Sequence, residues 1–244
     1  MDSFFCFLGR SIEDFGAKTP TWNETHFCKL LQVDEVWSFT YAKQKHLPAH
    51  LKTNSEVGDT WTWVAIDANT KLIPCWHVGK RNAVDAYKFI NDLAPRLAGR
   101  VQLTSDGLKA YIEAVEGAFG SEIDFAQLVK LYGNEGVQGE VRYSPPVCTG
   151  ARKTRISGKP VEKHVSTSHV ERQNLTLRMS NRRFTRLTNA FSKKLESHKH
   201  AAAIHFMHYN FCRIHQTLRV TPAMEAGITD HVWTLEEVVG LIGD

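Results

Sequence analysis

No run of apolar residues in this chain approaches the ~20 that a membrane-spanning helix requires. The opening stretch MDSFFCFLGRSIEDF lacks a basic n-region and turns acidic early, which argues against a secretory signal. Of the five cysteines (Cys6, Cys28, Cys75, Cys148 and Cys212), none has a partner at zinc-ligand or CxxC spacing. An odd count at wide spacing reads as reduced, mostly buried thiols, which fits a reducing compartment and a cytoplasmic location. Internal repeats and low-complexity tracts are also absent. Net charge is small, +4, so no overall polyelectrolyte character is imposed on the chain.

What is present is an ordinary globular composition, 42% hydrophobic and 23% charged, over 244 residues. That length supports one substantial core, or a core with an appended subdomain. The charges are unevenly distributed. From Ala151 to Lys199 there are thirteen Lys or Arg against three acids, whereas Val101 to Val141 is rich in Asp and Glu. Such segregation points to a polyanion on one face, with a solvated basic surface as the plain alternative.

The first third reads as strands. LLQVDEVWSFTY (Leu30–Tyr41) is aromatic and β-branched with partial alternation, TWTWVAID (Thr60–Asp67) alternates, and KLIPCWHV (Lys71–Val78) returns after a turn. Pro74 places that third strand at an edge or bulge. Helical spacing follows over Asn82–Leu97, then a short apolar strand at Val101–Thr104, a helix at Lys109–Phe119 and a strand at Phe125–Tyr132. The order is β-β-β-α-β-α-β. Residues 133–167 read as a long loop carrying Arg152, Lys153 and Arg155. Helices are expected from Ser168 to about Arg186, from about Ser192 to Phe211, and from Leu235 to Ile242.

Three carboxylates are placed for chemistry. Two Mg²⁺ ions about 3.5–4 Å apart can activate a water and stabilise the leaving oxygen of a phosphodiester. Hard cations of that kind take oxygen ligands from rigid elements. Asp34 lies within an apolar strand, where a carboxylate is costly unless paired or metal-bound. Its neighbour Glu35 belongs on the opposite strand face. Asp106 follows the apolar strand VQLT and precedes Gly107, the strand-end position favoured for ligand sites in α/β sheets. Glu171 opens the helix after the basic loop. Plain readings stand beside these: Asp34 as a salt-bridged edge residue, Asp106 as the turn residue of S-D-G, and Glu171 as the acid of an S-x-x-E capping box with Ser168. Helical spacing puts Glu171, Asn174, Leu175, Arg178 and Arg182 on one side, with Arg183 and Arg186 extending the basic surface. That combination suits metal binding beside phosphate contacts, and equally a solvent-facing basic helix.

At these residues the sequence resembles the DDE transposases of bacterial insertion sequences, close to the insertion-sequence-one type. The stretches that carry the resemblance are VDEVWSFTYAKQK, GDTWTWVAIDANTKLI, VQLTSDGLKAYIEAVE, HVSTSHVERQNLTLRMSNRRFTRLTNAFSKK and YNFCRIHQTLRVTPAMEAGITD. They run from about Cys28 to the C-terminus. The resemblance implies an α/β RNase H-like fold with a five-stranded mixed sheet flanked by helices. It also implies a triad of Asp34, Asp106 and Glu171 that binds two Mg²⁺ ions, Mn²⁺ being a substitute, with Asn174 and Arg178 as accompanying polar positions. In such a mechanism Asp34 bridges both ions and the other two acids complete one each. Water then frees a 3′-hydroxyl at the element end, and that hydroxyl attacks target DNA without a covalent protein intermediate. Arg152, Lys153, Arg155, Arg178, Arg182 and Arg183 are the candidate phosphate contacts, with DNA as the partner and a nucleoid-associated homo-oligomer as the working form. The expected organisation is a short N-terminal remnant at 1–29, a catalytic domain at 30–222 and a helical tail at 223–244.

The chain departs from the family at one point. Its members carry an N-terminal region that binds DNA ends, and here only 33 residues precede Asp34. A truncated remnant that binds DNA or inhibits a full-length partner is therefore a competing reading. A glycoside hydrolase built on a carboxylate pair is another, but it leaves the basic segment unexplained. His205 and His208 share a helix face without a carboxylate at matching spacing, and read as core or surface histidines. Trp61 and Trp63 read as core, and Tyr209, Asn210, Arg213 and His215 as a polar network closing the domain.

Overall fold

The computed structural model describes residues 28–132, 148–186 and 188–240. The N-terminal segment 1–27, and the part of the expected loop at 133–147, lie outside these. Six strands form one mixed sheet in the order β3-β2-β1-β4-β5-β6. They are β1 (Leu30–Thr40), β2 (Gly58–Asp67), β3 (Cys75–Gly79), β4 (Val101–Ser105), β5 (Ile123–Tyr132) and β6 (Cys148–Ser157). β1 pairs antiparallel with β2 and parallel with β4, β4 parallel with β5, and β5 antiparallel with β6. The α/β class and the flanking helices are those expected from the sequence, and the arrangement is compatible with an RNase H-like fold. β3 lies at an edge, where Pro74 just before it costs no ladder hydrogen bond. One correction concerns number: the sheet has six strands rather than five, because the basic stretch around Arg152 is a strand paired to β5 rather than part of a loop.

Strand alternation divides the core in two. From β1, Leu31 and Val33 face a cluster that includes Trp63 and Ala65 of β2 and Leu103 of β4. Against it pack α1 (Ala83–Leu93) through Phe89 and Ile90, and α2 (Ala110–Phe119) through Tyr111 and Val115. Val36 of β1 and Val64 and Ile66 of β2 point the other way. They meet Val170 and Leu177 of α3 (Ser168–Ser180) and Ala202 and Phe206 of α4 (Leu195–Met207). β1 and β2 thus bury both faces, as strands covered by helices on both sides do.

The ends of the helices matter for the site. Asn82 caps α1 by accepting from the Asp85 amide at 2.8 Å. The expected helix to Leu97 stops at Leu93 and tightens into a 3₁₀ turn over Ala94–Arg96, because Pro95 has no amide to donate. α3 ends at Ser180 rather than near Arg186, and Arg182 sits in a 3₁₀ turn capped by Asn181. α4 is also shorter than expected and passes into a π turn, His208–Cys212. There Asn210 accepts from the Ile73 amide at 3.0 Å and donates to the Ile73 carbonyl at 2.9 Å, tying the chain's later part to the approach to β3. Two short helices follow, α5 (Pro222–Glu225) and α6 (Leu235–Gly240). Among the described residues no helix is long and apolar enough to cross a membrane.

Candidate functional site

The β1–β4 register determines where two of the three predicted carboxylates fall. Leu30 lies opposite Gln102 and Val33 opposite Ser105, the last residue of β4. One residue further on each strand come Asp34 and Asp106. Just past that level, among the described residues, β1 has no strand beside it on the β4 side until Thr40 bridges Ser192, so side chains from both of its faces can turn over the gap. Glu35 does so. It points to the opposite face from Asp34, as alternation demands, yet carboxylate oxygens of Asp34, Glu35 and Asp106 lie within 4.8 Å of one another.

Each of the three is held by specific partners. Asp34 Oδ2 accepts from Asn174 Nδ2 at 2.9 Å. Glu35 is almost wholly buried, and accepts from Arg81 Nε at 2.5 Å and from the Tyr111 hydroxyl at 3.1 Å. Asp106 Oδ1 accepts from the Leu108 amide at 2.9 Å, so the turn role read from S-D-G is real and uses one oxygen. Its Oδ2 lies 3.6 Å from Arg81 Nη2. A Cβ on Gly107 would come within 2.9 Å of Val129 Cγ2 on β5, so a substitution there would have to displace that side chain.

α3 is placed on β1 by a side chain two residues before Asp34. Gln32 Oε1 accepts from the amides of His169 and Val170 at 2.8 and 3.2 Å, satisfying donors at the open N-terminus of the helix. With that end anchored, Asn174 reaches Asp34 along the same face. Glu171 is not in the capping box with Ser168, whose amide donates instead to Ser166 Oγ. Glu171 accepts from Thr167 Oγ1 at 2.7 Å and forms an ion pair with Lys130 Nζ of β5 at 2.5 Å. It stands outside the 4.8 Å cluster, though its charge is felt at Asp34.

The electrostatics follow from the crowding. Burial, then the charges of Glu35 and Asp106 and more weakly Glu171, push the Asp34 carboxyl from 3.8 up to about 7, against a stabilising bond from the Glu35 amide. Burial and the Asp106 charge also raise Glu35, and Arg81 and Tyr111 offset part of that. Tyr111 is pushed well up by burial and by the same three acids. The donor set is therefore all oxygen, compressed and short of positive charge, which is what a hard divalent cation relieves. Asn174 Oδ1 adds to the fit: it is buried and has no hydrogen-bond partner among the described residues. Asp34 and Asp106 offer the least committed oxygens, since Glu35 is engaged by Arg81 and Tyr111.

The basic candidates separate by environment. Arg152, Lys153 and Arg155 project from the exposed edge strand β6, and Lys153 Nζ donates to the Glu162 carbonyl at 2.8 Å. Arg182 is exposed, while Arg183 is half-buried with Nη1 3.4 Å from Ser192 Oγ. Arg178 differs: its guanidinium donates to the carbonyls of Phe184 at 3.2 Å and Trp37 at 3.1 Å, which ties α3 to the following turn and to β1. The single stripe expected along α3 is not one surface. Asn174 is buried, Leu175 is exposed, and Arg182 lies beyond the helix.

Glu35 and Arg81 were not among the predicted site residues. The Asp-Glu pair in QVDEVW was the available signal for Glu35. Nothing local distinguishes Arg81, which reaches the site from the turn after β3. No protein-family model matches the chain, and no match is found among curated proteins either.

Proposed function

We propose that this chain is the catalytic part of a DDE transposase of the insertion-sequence-one kind, cutting and joining DNA by metal-dependent phosphoryl transfer. The observation that carries the reading is the meeting of Asp34 and Asp106 at one level of adjacent parallel strands, beside a buried acceptor that has no donor among the described residues. Mg²⁺, or Mn²⁺ in its place, would be held by Asp34, Asp106 and Glu171. When bound, such ions activate the attacking water or hydroxyl and stabilise the leaving oxygen.

The chain's own residues do the positioning. Asn174 and the Leu108 amide fix the orientations of Asp34 and Asp106. Arg81 and Tyr111 hold Glu35 and limit repulsion within the cluster. Lys130 neutralises Glu171 and keeps it at the rim. Exposed cations on β6 and after α3 supply phosphate contacts, so DNA binding weakens steeply with salt. A DNA substrate accounts for the carboxylates and the basic segment together.

Nicking of supercoiled DNA with Mg²⁺ or Mn²⁺ tests this. Asp34→Asn, Asp106→Asn and Glu171→Gln are each expected to lower cleavage at least about a hundredfold, with DNA affinity changed little. Wild-type cleavage by Asp34→Asn overturns the reading.

A further inference from the structure

Beyond the carboxylates, β1 carries a row of aromatic rings. The centroids of Trp37 and Phe39 are 5.8 Å apart, and those of Phe39 and Phe191 5.0 Å. Phe191 comes from a distant part of the chain and is held there by backbone and buried polar contacts. Thr40 and Ser192 form a parallel bridge, and the Tyr41 amide donates to the Ser192 carbonyl at 2.8 Å. His198, fully buried, stands between Ser38 Oγ at 3.0 Å and Ser192 Oγ at 2.9 Å. The three rings are half-buried and belong to none of the core clusters.

Lysines stand over these rings. The Lys43 ammonium is 5.7 Å from the Trp37 centroid and 5.8 Å from that of Phe39, and the Lys193 ammonium is 3.7 Å from that of Phe191. The half-buried rings keep part of their surface exposed beside these ammonium groups. Lys43, Lys45 and Lys52, with Trp37, Gln44 and Asp59, line a groove of about 610 Å³. Its one acid, Asp59, is occupied by the Gln44 amide at 3.0 Å. In the other direction the row runs into the carboxylate site. Trp37 pairs across the ladder with Trp61, the Trp61 ring lies 5.0 Å from the Arg81 guanidinium carbon, and Arg81 bonds Glu35.

We propose that this row is a track for an unpaired DNA strand leaving the carboxylate site. Bases stack on Trp37, Phe39 and Phe191, and Lys43, Lys45, Lys52 and Lys193 contact the phosphates. The proposal rests on the DNA-cutting reading above and adds the form of DNA that the site holds. Partly exposed rings interleaved with cations match a strand whose bases are free to stack. A duplex hides its base faces and would use the lysines alone. From Asp34 to Phe39 the strand rises about 16 Å at 3.3 Å per residue, the length of about five stacked nucleotides.

The test is binding of a labelled oligo-dT strand and of a duplex by fluorescence anisotropy, in EDTA so that nothing is cut. Phe191→Leu should weaken binding of the single strand about tenfold and leave duplex binding unchanged, while Phe191→Tyr retains both. Lys43→Ala combined with Lys45→Ala should reduce the slope of log affinity against log salt by about 1.4, at about 0.7 per phosphate contact. If Phe191→Leu lowers the melting temperature, the lysine pair decides through that slope. Wild-type single-strand affinity in a folded Phe191→Leu, an equal loss for duplex, or an unchanged slope overturns the proposal. Because the assay is metal-free, it stands apart from the cleavage result for Asp34→Asn.

Discussion

Asp34→Asn should make the metal-free protein more stable at alkaline pH while abolishing the proposed DNA cleavage. The folded carboxyl binds its proton more tightly than the unfolded one, with a pKa of about 7 against 3.8. Below pH 3.8 the group is protonated in both states and costs nothing. Between 3.8 and about 7 stability falls by up to about 1.4 kcal/mol per pH unit. Above that the full cost is present, about 4 kcal/mol as an upper bound, since Glu35 and Arg81 share the same field. Asparagine removes the charge and keeps the shape, and its Oδ1 still accepts from Asn174. Urea denaturation in EDTA should therefore show the variant about 2–4 kcal/mol more stable at pH 8 and equal to wild type near pH 4. Added Mg²⁺ should stabilise wild type and have little effect on the variant. A variant that is no more stable at pH 8, or that gains as much at pH 4, refutes the account of a crowded, cation-seeking site.

Two further outcomes bear on the surrounding structure. Burial and the nearby Arg183 charge hold His198 down at about 4, against 6.5 unfolded, so it folds neutral between its two serines. The unfolded chain takes up the proton first, so stability is full above pH 6.5 and is lost as pH falls toward 4, by about 3 kcal/mol; denaturation of wild type and His198→Gln across that window should diverge. Arg178→Ala should lower the melting temperature by several degrees and leave the salt slope of DNA binding unchanged, whereas Arg152→Ala with Arg155→Ala should reduce that slope by about 1.8 on duplex DNA.

Asp34 and Asp106 were legible because each breaks a local expectation: an acid inside an apolar strand, and an acid where an apolar strand stops. Their meeting was not legible, since it depends on which strands pair and in what register. Glu35 shows the limit more sharply. Alternation correctly sends it to the opposite face, yet β4 ends at Ser105, and just beyond that level the two faces of β1 share one gap. Arg81 enters from a turn, where no periodicity marks it. β6 escaped detection because most of its residues face solvent and no apolar alternation is written into CTGARKTRIS. The charge of Arg178 is visible in the sequence, but its bonds to the Phe184 and Trp37 carbonyls are not.

The position of β6 has a consequence of its own. Among the described residues it is the last strand of the sheet, so one row of its amides and carbonyls lacks a strand partner there. Bare rows of that sort invite a second molecule to add on. Arg152, Lys153 and Arg155 bring like charges face to face whenever two copies approach by this rim, and that repulsion opposes edge-to-edge pairing of the strand with itself.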